Sequence, residues 1–479
     1  MTEEVRGAVE PRDLLRYAIL FLLVAGPLAL GAVHAPASIP LLAIAYTAGL
    51  LSWARGHWAR AHGQPVPRVP AARLLLLLHA VVLFQLLPLP PRLLRLLSPG
   101  SFAYYDDLAL LPLVEWKPIS VSPPDTLRGL VFLGGMSLLY ATVFREFDDK
   151  RWRRRLAWTV VDTGLLITLE ALVQAGSSEP RKIYGLWRPR WDWGVFGPYV
   201  GRNNFAGYVV MAIPLALAFA AQALQELRRS WGRRKRARWL ALGERAGSGT
   251  LARAAVALAL IVGLLSSQSR GGLTAFVLST ATLATALWSR RRAAAGIVLV
   301  FALVLAGTSW IGLDAFVHGF ESRGIRTSRL DLWRDALRLV PHFPLLGAGF
   351  NAFGTSYPPY QTYFKDVWWG EAHNEYLQAL IDTGVVGALL AGSLIVELFG
   401  AALRGARRGT LEAGLLGAVL ALGFHNLFDF SWQIPANAAT FAALSGLVMR
   451  PAPERDAPAA QQPAHDESTR KSRSQEHHL

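Results

Sequence analysis

Apolar runs alternate with short polar links along most of the chain. They lie at residues 14–33, 39–53, 72–87, 127–144, 158–173 and 204–224, and again at 251–265, 273–288, 295–313, 374–399, 411–427 and 436–448. A helix needs about 20 largely apolar residues to cross a bilayer. The pattern therefore predicts an all-α polytopic membrane protein with about twelve transmembrane helices, several of them short. The first run continues into a second span and carries no small-residue cleavage site, so it is read as a retained helix. No internal repeat is evident. After residue 450 the apolar pattern stops, and 451–479, rich in Pro, Ala, Gln, Ser and charge, is expected to be a disordered cytoplasmic tail behind a single transmembrane domain over 1–450.

The links differ in charge. With the N-terminus inside, 53–73, 145–155, 226–253, 289–292 and 404–408 all become cytoplasmic. They hold the densest arginine clusters, Arg151-Trp-Arg-Arg-Arg155 and Arg233-Arg-Lys-Arg-Ala-Arg238, as the positive-inside rule requires. Both termini then lie inside. Three longer links fall on the opposite face, which in a bacterium is the periplasm: 88–125, 174–203 and a large loop of about 314–372. Within that loop Thr327 to Val340 has a Ser328-x-x-Asp331 capping box and apolar positions at Leu330, Trp333, Leu337 and Val340. This pattern predicts an amphipathic helix over the membrane mouth. The aromatics that follow, Tyr357, Tyr360, Tyr363, Phe364, Trp368 and Trp369, fit an interfacial belt or a platform for sugar rings.

Composition agrees. The chain is 52% hydrophobic and only 17% charged, with a mean hydropathy of +0.30, which a soluble domain of this size does not show. Its net charge of +16 invites a nucleic-acid reading, but the basic residues sit between apolar runs and act as topology signals. It contains no cysteine, so disulfides and thiolate metal sites are excluded. The Asp106-Asp107 and Asp148-Asp149 pairs have no histidine at ligand spacing, which leads to the expectation of a metal-free site without cofactor.

Three places carry chemistry on the expected periplasmic face. His373, Asn374 and Glu375 open a polar stretch that runs straight into a membrane-length helix. A helix N-terminus offers N–H groups to an anion and biases a nearby histidine toward its neutral form. Arg270, in Ser266-Ser-Gln-Ser-Arg-Gly-Gly272, sits in a link too tight for a solvated charge, so it is expected to point inward. Arg202, in Gly201-Arg-Asn-Asn-Phe-Ala-Gly207, opens another span behind Arg181, Lys182, Arg188 and Arg190. Arginine's planar fork matches phosphate oxygens. Arg329 and Arg334 are lesser candidates, and His425-Asn426 is read as mainly structural.

In this order the motifs resemble the O-antigen ligase and polymerase family of bacterial envelope proteins. They are Gly201-Arg-Asn-Asn-Phe-Ala-Gly207, Ser267-Gln-Ser-Arg-Gly-Gly272, Arg329-x-x-x-Trp333 leading to Pro344-Leu-Leu-Gly-Ala-Gly349, His373-Asn-Glu-Tyr-Leu-Gln378 and Gly384. The resemblance covers about 201–448. It implies metal-independent glycosyl transfer from a polyprenyl (undecaprenyl) diphosphate glycan to an acceptor, whether a growing glycan, lipid A-core or protein; in-line attack by the acceptor hydroxyl is then expected to invert the anomeric carbon. On this resemblance Arg202 and Arg270 match the diphosphate-binding arginines and His373 the catalytic histidine. Asn374, Arg329, Arg334 and Tyr360 are possible substrate-binding residues. Asn204 stands where many members carry histidine. The alternative is a transporter of lipid-linked glycans, for which repeated halves and midplane polar residues are expected. Here the polar residues gather at one face, which favours an enzyme.

Overall fold

The computed structural model describes residues 10–108, 114–190, 194–231, 245–286, 325–363 and 367–450. The run at 295–313, the basic cluster at 233–238, Phe364 and the tail at 451–479 lie outside the described residues. The fifteen α-helices among them are α1 (Pro11–Leu28), α2 (Ala35–Ala61), α3 (Ala72–Phe84), α4 (Pro91–Leu97), α5 (Pro99–Leu108), α6 (Pro123–Glu146), α7 (Lys150–Ala175) and α8 (Arg202–Trp231). They continue as α9 (Arg245–Ser266), α10 (Arg270–Ala286), α11 (Ile325–Leu337), α12 (Phe353–Ser356), α13 (Glu375–Ala406), α14 (Thr410–His425) and α15 (Pro435–Met449). The only strand-like pairing among the described residues is three isolated bridges. Six helices, α2, α6, α7, α8, α9 and α13, are long and apolar enough to cross a bilayer, and α3, α14 and α15 are shorter apolar helices. The protein is an all-helical polytopic membrane protein.

The bundle packs around α8 and α14, whose apolar residues are buried on all sides and form the centre of one large core with α7, α9 and α15. That explains their sequence: a helix surrounded by other helices needs no polar stripe. One set of helix ends is clamped by charge. Arg12 Nε meets Glu146 Oε2 at 3.1 Å, and Arg16 Nη2 meets Asp148 Oδ1 at 3.1 Å. Arg153, only 2% exposed, donates to the Leu447 carbonyl at 2.9 Å. Glu146, Asp148 and Arg153 thus fasten α1, α6, α7 and α15 together.

A second, smaller core lies at the other ends, built from the loop itself. Leu332, Ala336, Leu339, Phe343, Phe353 and Tyr357 pack with Ile381 of α13. The amphipathic helix exists as α11, and of the four expected apolar positions Trp333 and Val340 pack against this core, but the most buried face is turned from the expected one. Leu332, Asp335, Ala336 and Leu339 are buried, whereas Leu330 and Leu337 are 61% and 56% exposed. Asp335 explains the rotation: its carboxylate accepts from the Thr362 N–H at 2.7 Å and from the Thr362 hydroxyl, pinning the aromatic stretch onto α11. Ser328 falls inside α11 rather than at its N-cap.

The loop docks into a break in α13. Gly384 has φ +63° and ψ −170°, and the N–H groups of Val385 and Val386 donate to the carbonyls of Pro344 and Leu345 at 2.9 and 3.2 Å. In return, Ala348 N–H donates to Ile381 O and Gly349 N–H to Asp382 O. Gln85, wholly buried, donates to the carbonyls of Leu346 and Asp382. Broken backbone at membrane depth is tolerated when its polar groups are satisfied in this way. Gly347 and Gly384 both have positive φ, and a Cβ on either would collide with the backbone of the segment facing it. Gly384→Ala is therefore expected to destabilise the protein by about 2 kcal/mol or more. A lower Tm of the detergent-purified protein and faster tryptic cutting in the loop would show this, and an unchanged Tm would remove the interlock.

Candidate functional site

The helices α8 and α10 begin side by side. Ser269 Oγ caps α10, accepting from Gly272 N–H at 3.2 Å, and donates to Asn203 Oδ1 at 2.8 Å. Gln268 turns the chain with φ +52°, so the link is as tight as its sequence requires. Asn437 of α15 holds the α8 start, donating to Asn204 O at 2.8 Å and accepting from the Tyr199 hydroxyl at 3.0 Å. Arg202 and Arg270, the first residues of their helices, are both half-buried and face one cavity. Arg181, Arg188 and Arg190 stay exposed and outside it.

His373 lines the same cavity. It is not in the first turn of α13, as the sequence suggests, but one residue before the cap, with φ +52°. Asn374 is the N-cap, its side chain accepting from the N–H groups of Tyr376 and Leu377, both at 3.1 Å. The Glu375 N–H donates to Asn426 O at 3.0 Å. These three N–H groups are thus occupied, and this helix end offers them to no anion. The imidazole is governed instead by a carboxylate. Its Nδ1 lies 3.6 Å from Asp429 Oδ1, within ion-pair reach but longer than a hydrogen bond. Its ring stands edge-on to Phe430 and Trp369, with centroids 4.9 and 5.9 Å away.

Asp429 is 1% exposed. Its Oδ1 accepts from the Phe430 N–H at 2.9 Å, and Arg329 Nη2 approaches Oδ2 at 4.0 Å while Nη1 donates to Phe428 O at 2.6 Å. Burial pushes its carboxyl up, but His373, His425 and Arg329 outweigh burial and hold it down at about 2. It is ionised at any ordinary pH. His425 and Asn426 build the turn beneath it: the His425 Nδ1 and Ser431 Oγ pair at 3.1 Å, and Asn426 Oδ1 accepts from Ser431 N–H at 2.9 Å. Asp429 is the residue that sequence reasoning missed. The one available signal was a lone aspartate in an otherwise apolar link, Leu427-Phe-Asp-Phe430.

The cavity has a volume of about 2530 Å³, several times that of a small-molecule pocket. Its polar limb holds Arg202, Arg270, Arg329, His373 and Asp429, with Trp368 and Trp369 at the wall. Its apolar limb runs between helices past Leu42, Leu78, Phe132, Met136, Ile395 and Phe441. Asn374, Arg334 and Tyr360 are outside its lining. Asn374 is committed to capping, Arg334 is exposed beside Asp331, and Tyr360 packs on His342 at a centroid distance of 4.9 Å. Tyr357 is buried in the loop core, so the aromatic stretch serves partly as core and partly as cavity wall. Among the described residues no three His, Asp or Glu side chains form a metal-holding group.

Residues 255–392 match the family model described as O-antigen ligase. This segment contains Arg270, Arg329 and His373. The resemblance is to the O-antigen ligases. It rests on a narrower stretch than the motifs alone suggest, with Arg202 and Asp429 outside it. A curated relative, the exopolysaccharide production protein ExoQ of Rhizobium meliloti (strain 1021), is 23% identical over 217 residues, covering 42% of this chain and 45% of that protein. The chain thus spans less than half the length of that relative.

Proposed function

We propose that this O-antigen ligase relative is a metal-independent, inverting glycosyltransferase of the ligase or polymerase type. It moves a glycan from a polyprenyl diphosphate carrier to an acceptor hydroxyl at the periplasmic face of a bacterial inner membrane, with both chain ends in the cytoplasm. The observation that carries this reading is the two-limbed cavity. An isoprenoid tail suits the apolar limb, and the arginines with the His373–Asp429 pair suit a diphosphate sugar at its head. Both resemblances point to the same class of chemistry.

The geometry supports the following roles. As the bond from the anomeric carbon to the phosphate oxygen breaks, its electron pair goes to the diphosphate, and Arg202 and Arg270 stabilise the charge that develops there. The acceptor oxygen attacks the opposite face of that carbon, forming the new glycosidic bond. Its proton passes to the His373 nitrogen that faces away from Asp429, Nε2. Asp429 orients the ring and stabilises the imidazolium that results. Arg329 keeps the Asp429 turn in place.

Deletion of the gene, with the surface-polysaccharide ladder read on a gel, tests the reading. Loss of polymer from lipopolysaccharide, with polymer gathering on its lipid carrier, marks a ligase, whereas core bearing a single repeat marks a polymerase. An unchanged ladder, or a product that retains the donor's anomeric configuration, overturns the proposal.

A further inference from the structure

The proposed transfer uses only part of the cavity's polar lining. Gly271 packs against Phe428 and His425, where a Cβ would lie 3.4 Å from Phe428 Cβ. This brings the α10 start onto the turn that carries Asp429 and receives Arg329. Arg270 and Arg329 are therefore gathered at that turn, with Arg202 beside them through the Ser269–Asn203 contact. A second part of the lining carries carboxyl groups. Glu375, Gln378 and Asp382 follow one another at helical spacing along one face of α13, and all three line the cavity with Glu371 and Gln433.

This second wall is ordered yet incompletely satisfied. Gln378 is fixed at both ends, accepting from Ala372 N–H at 2.8 Å and donating to Glu371 Oε2 at 2.6 Å. Glu375 is 8% exposed, but its Oε1 has no hydrogen-bond partner. Across the wall the Trp432 Nε1 is also buried without one, its ring edge-on to Tyr376 with centroids 5.8 Å apart. Buried polar atoms without partners cost free energy, and here a carboxyl oxygen and an indole N–H are left without partners in two residues that line the same cavity. Planar polar groups beside aromatic faces suit the hydroxyls and C–H faces of a sugar ring.

We infer that Glu371, Glu375, Gln378, Gln433 and Trp432 form the acceptor subsite, and that it takes the end of a saccharide bearing neither phosphate nor carboxylate. The assignment rests on the proposed transfer and adds to it the groups that each substrate meets. A diphosphate is drawn to the arginines, which leaves the carboxyl and amide groups of this wall to the acceptor beside His373. Burial raises the Glu371 carboxyl to about 7, so near neutral pH it both donates and accepts, as sugar hydroxyls require. None of these five residues is a cation, so the subsite has nothing to pair with an acceptor phosphate or carboxylate.

The test uses the full-length protein in nanodiscs and two probes. One is the host's own envelope glycan released by mild acid, followed by saturation-transfer NMR. The other is undecaprenyl diphosphate, followed by its effect on thermal stability. Glu375→Ala and the isosteric Glu375→Gln are each expected to weaken glycan binding about tenfold or more while leaving the diphosphate response intact. Arg270→Ala is expected to do the reverse. Unchanged glycan binding in both Glu375 variants, equal loss in Arg270→Ala, or no glycan binding by the unaltered protein overturns the subsite. Glycan binding without any response to undecaprenyl diphosphate instead overturns the proposed donor and leaves the sugar site standing.

Discussion

His373→Ala is expected to lower single-turnover transfer by a factor of about 10²–10⁴, the usual contribution of a positioned general base, with little change in donor binding. The protein should still fold, because His373 is only half-buried and the first turn of α13 is held by Asn374 and Asn426. Asp429→Asn is the sharper variant. It preserves shape but removes the charge that stabilises the imidazolium, so kcat should fall while the acceptor KM stays nearly constant. The pH dependence carries the same signature. The Asp429 carboxyl at about 2 lies below its ordinary value of about 3.9, so the stability it contributes is complete above about pH 4 and is lost as the pH falls through about 2. Asp429→Asn should flatten the acid limb of the stability profile. Full transfer by His373→Ala would end the general-base assignment and leave the cavity as a passage for lipid-linked glycans.

Much of the architecture was legible because a bilayer imposes a coarse rule on sequence. Apolar runs such as 127–144 and 158–173 lie within α6 and α7, and charges between them, Glu146, Asp148 and Arg153, became the clamp onto Arg12 and Arg16 of α1 and onto α15. Arg270 was legible for a related reason: a charge in a link without room for solvent must face inward. What the sequence hid depends on contacts between distant segments. The rotation of α11 follows from Asp335 binding Thr362, which no periodicity encodes. The Gly384 break has as its counterpart Gly347, 37 positions earlier, and each glycine alone looks ordinary. Asp429 was invisible because its importance comes from standing under His373, 56 positions away. The helix-end argument for His373 failed on the same account, since the N–H groups it relied on are taken by Asn374 and Asn426.

Arg270→Ala and Arg202→Ala are each expected to reduce transfer by a factor of about 10²–10³, the loss seen when one group stabilising a developing anion is removed. Two arguments place most of that loss in kcat. The charge on the departing diphosphate grows during bond cleavage, so the interaction strengthens as the barrier is climbed. Each arginine is also anchored as the first residue of a helix, and α8 and α10 are tied together by Ser269 and Asn203, so neither needs to be ordered at the moment of reaction. Lysine should rescue only partly, because it restores the charge but not the planar fork. The two positions act on one leaving group, so the double variant should lose less than the product of the single losses. Fully multiplicative losses would mean that the arginines serve separate steps. Substitutions that raise only the donor KM would mean that they anchor the carrier and do not assist its departure.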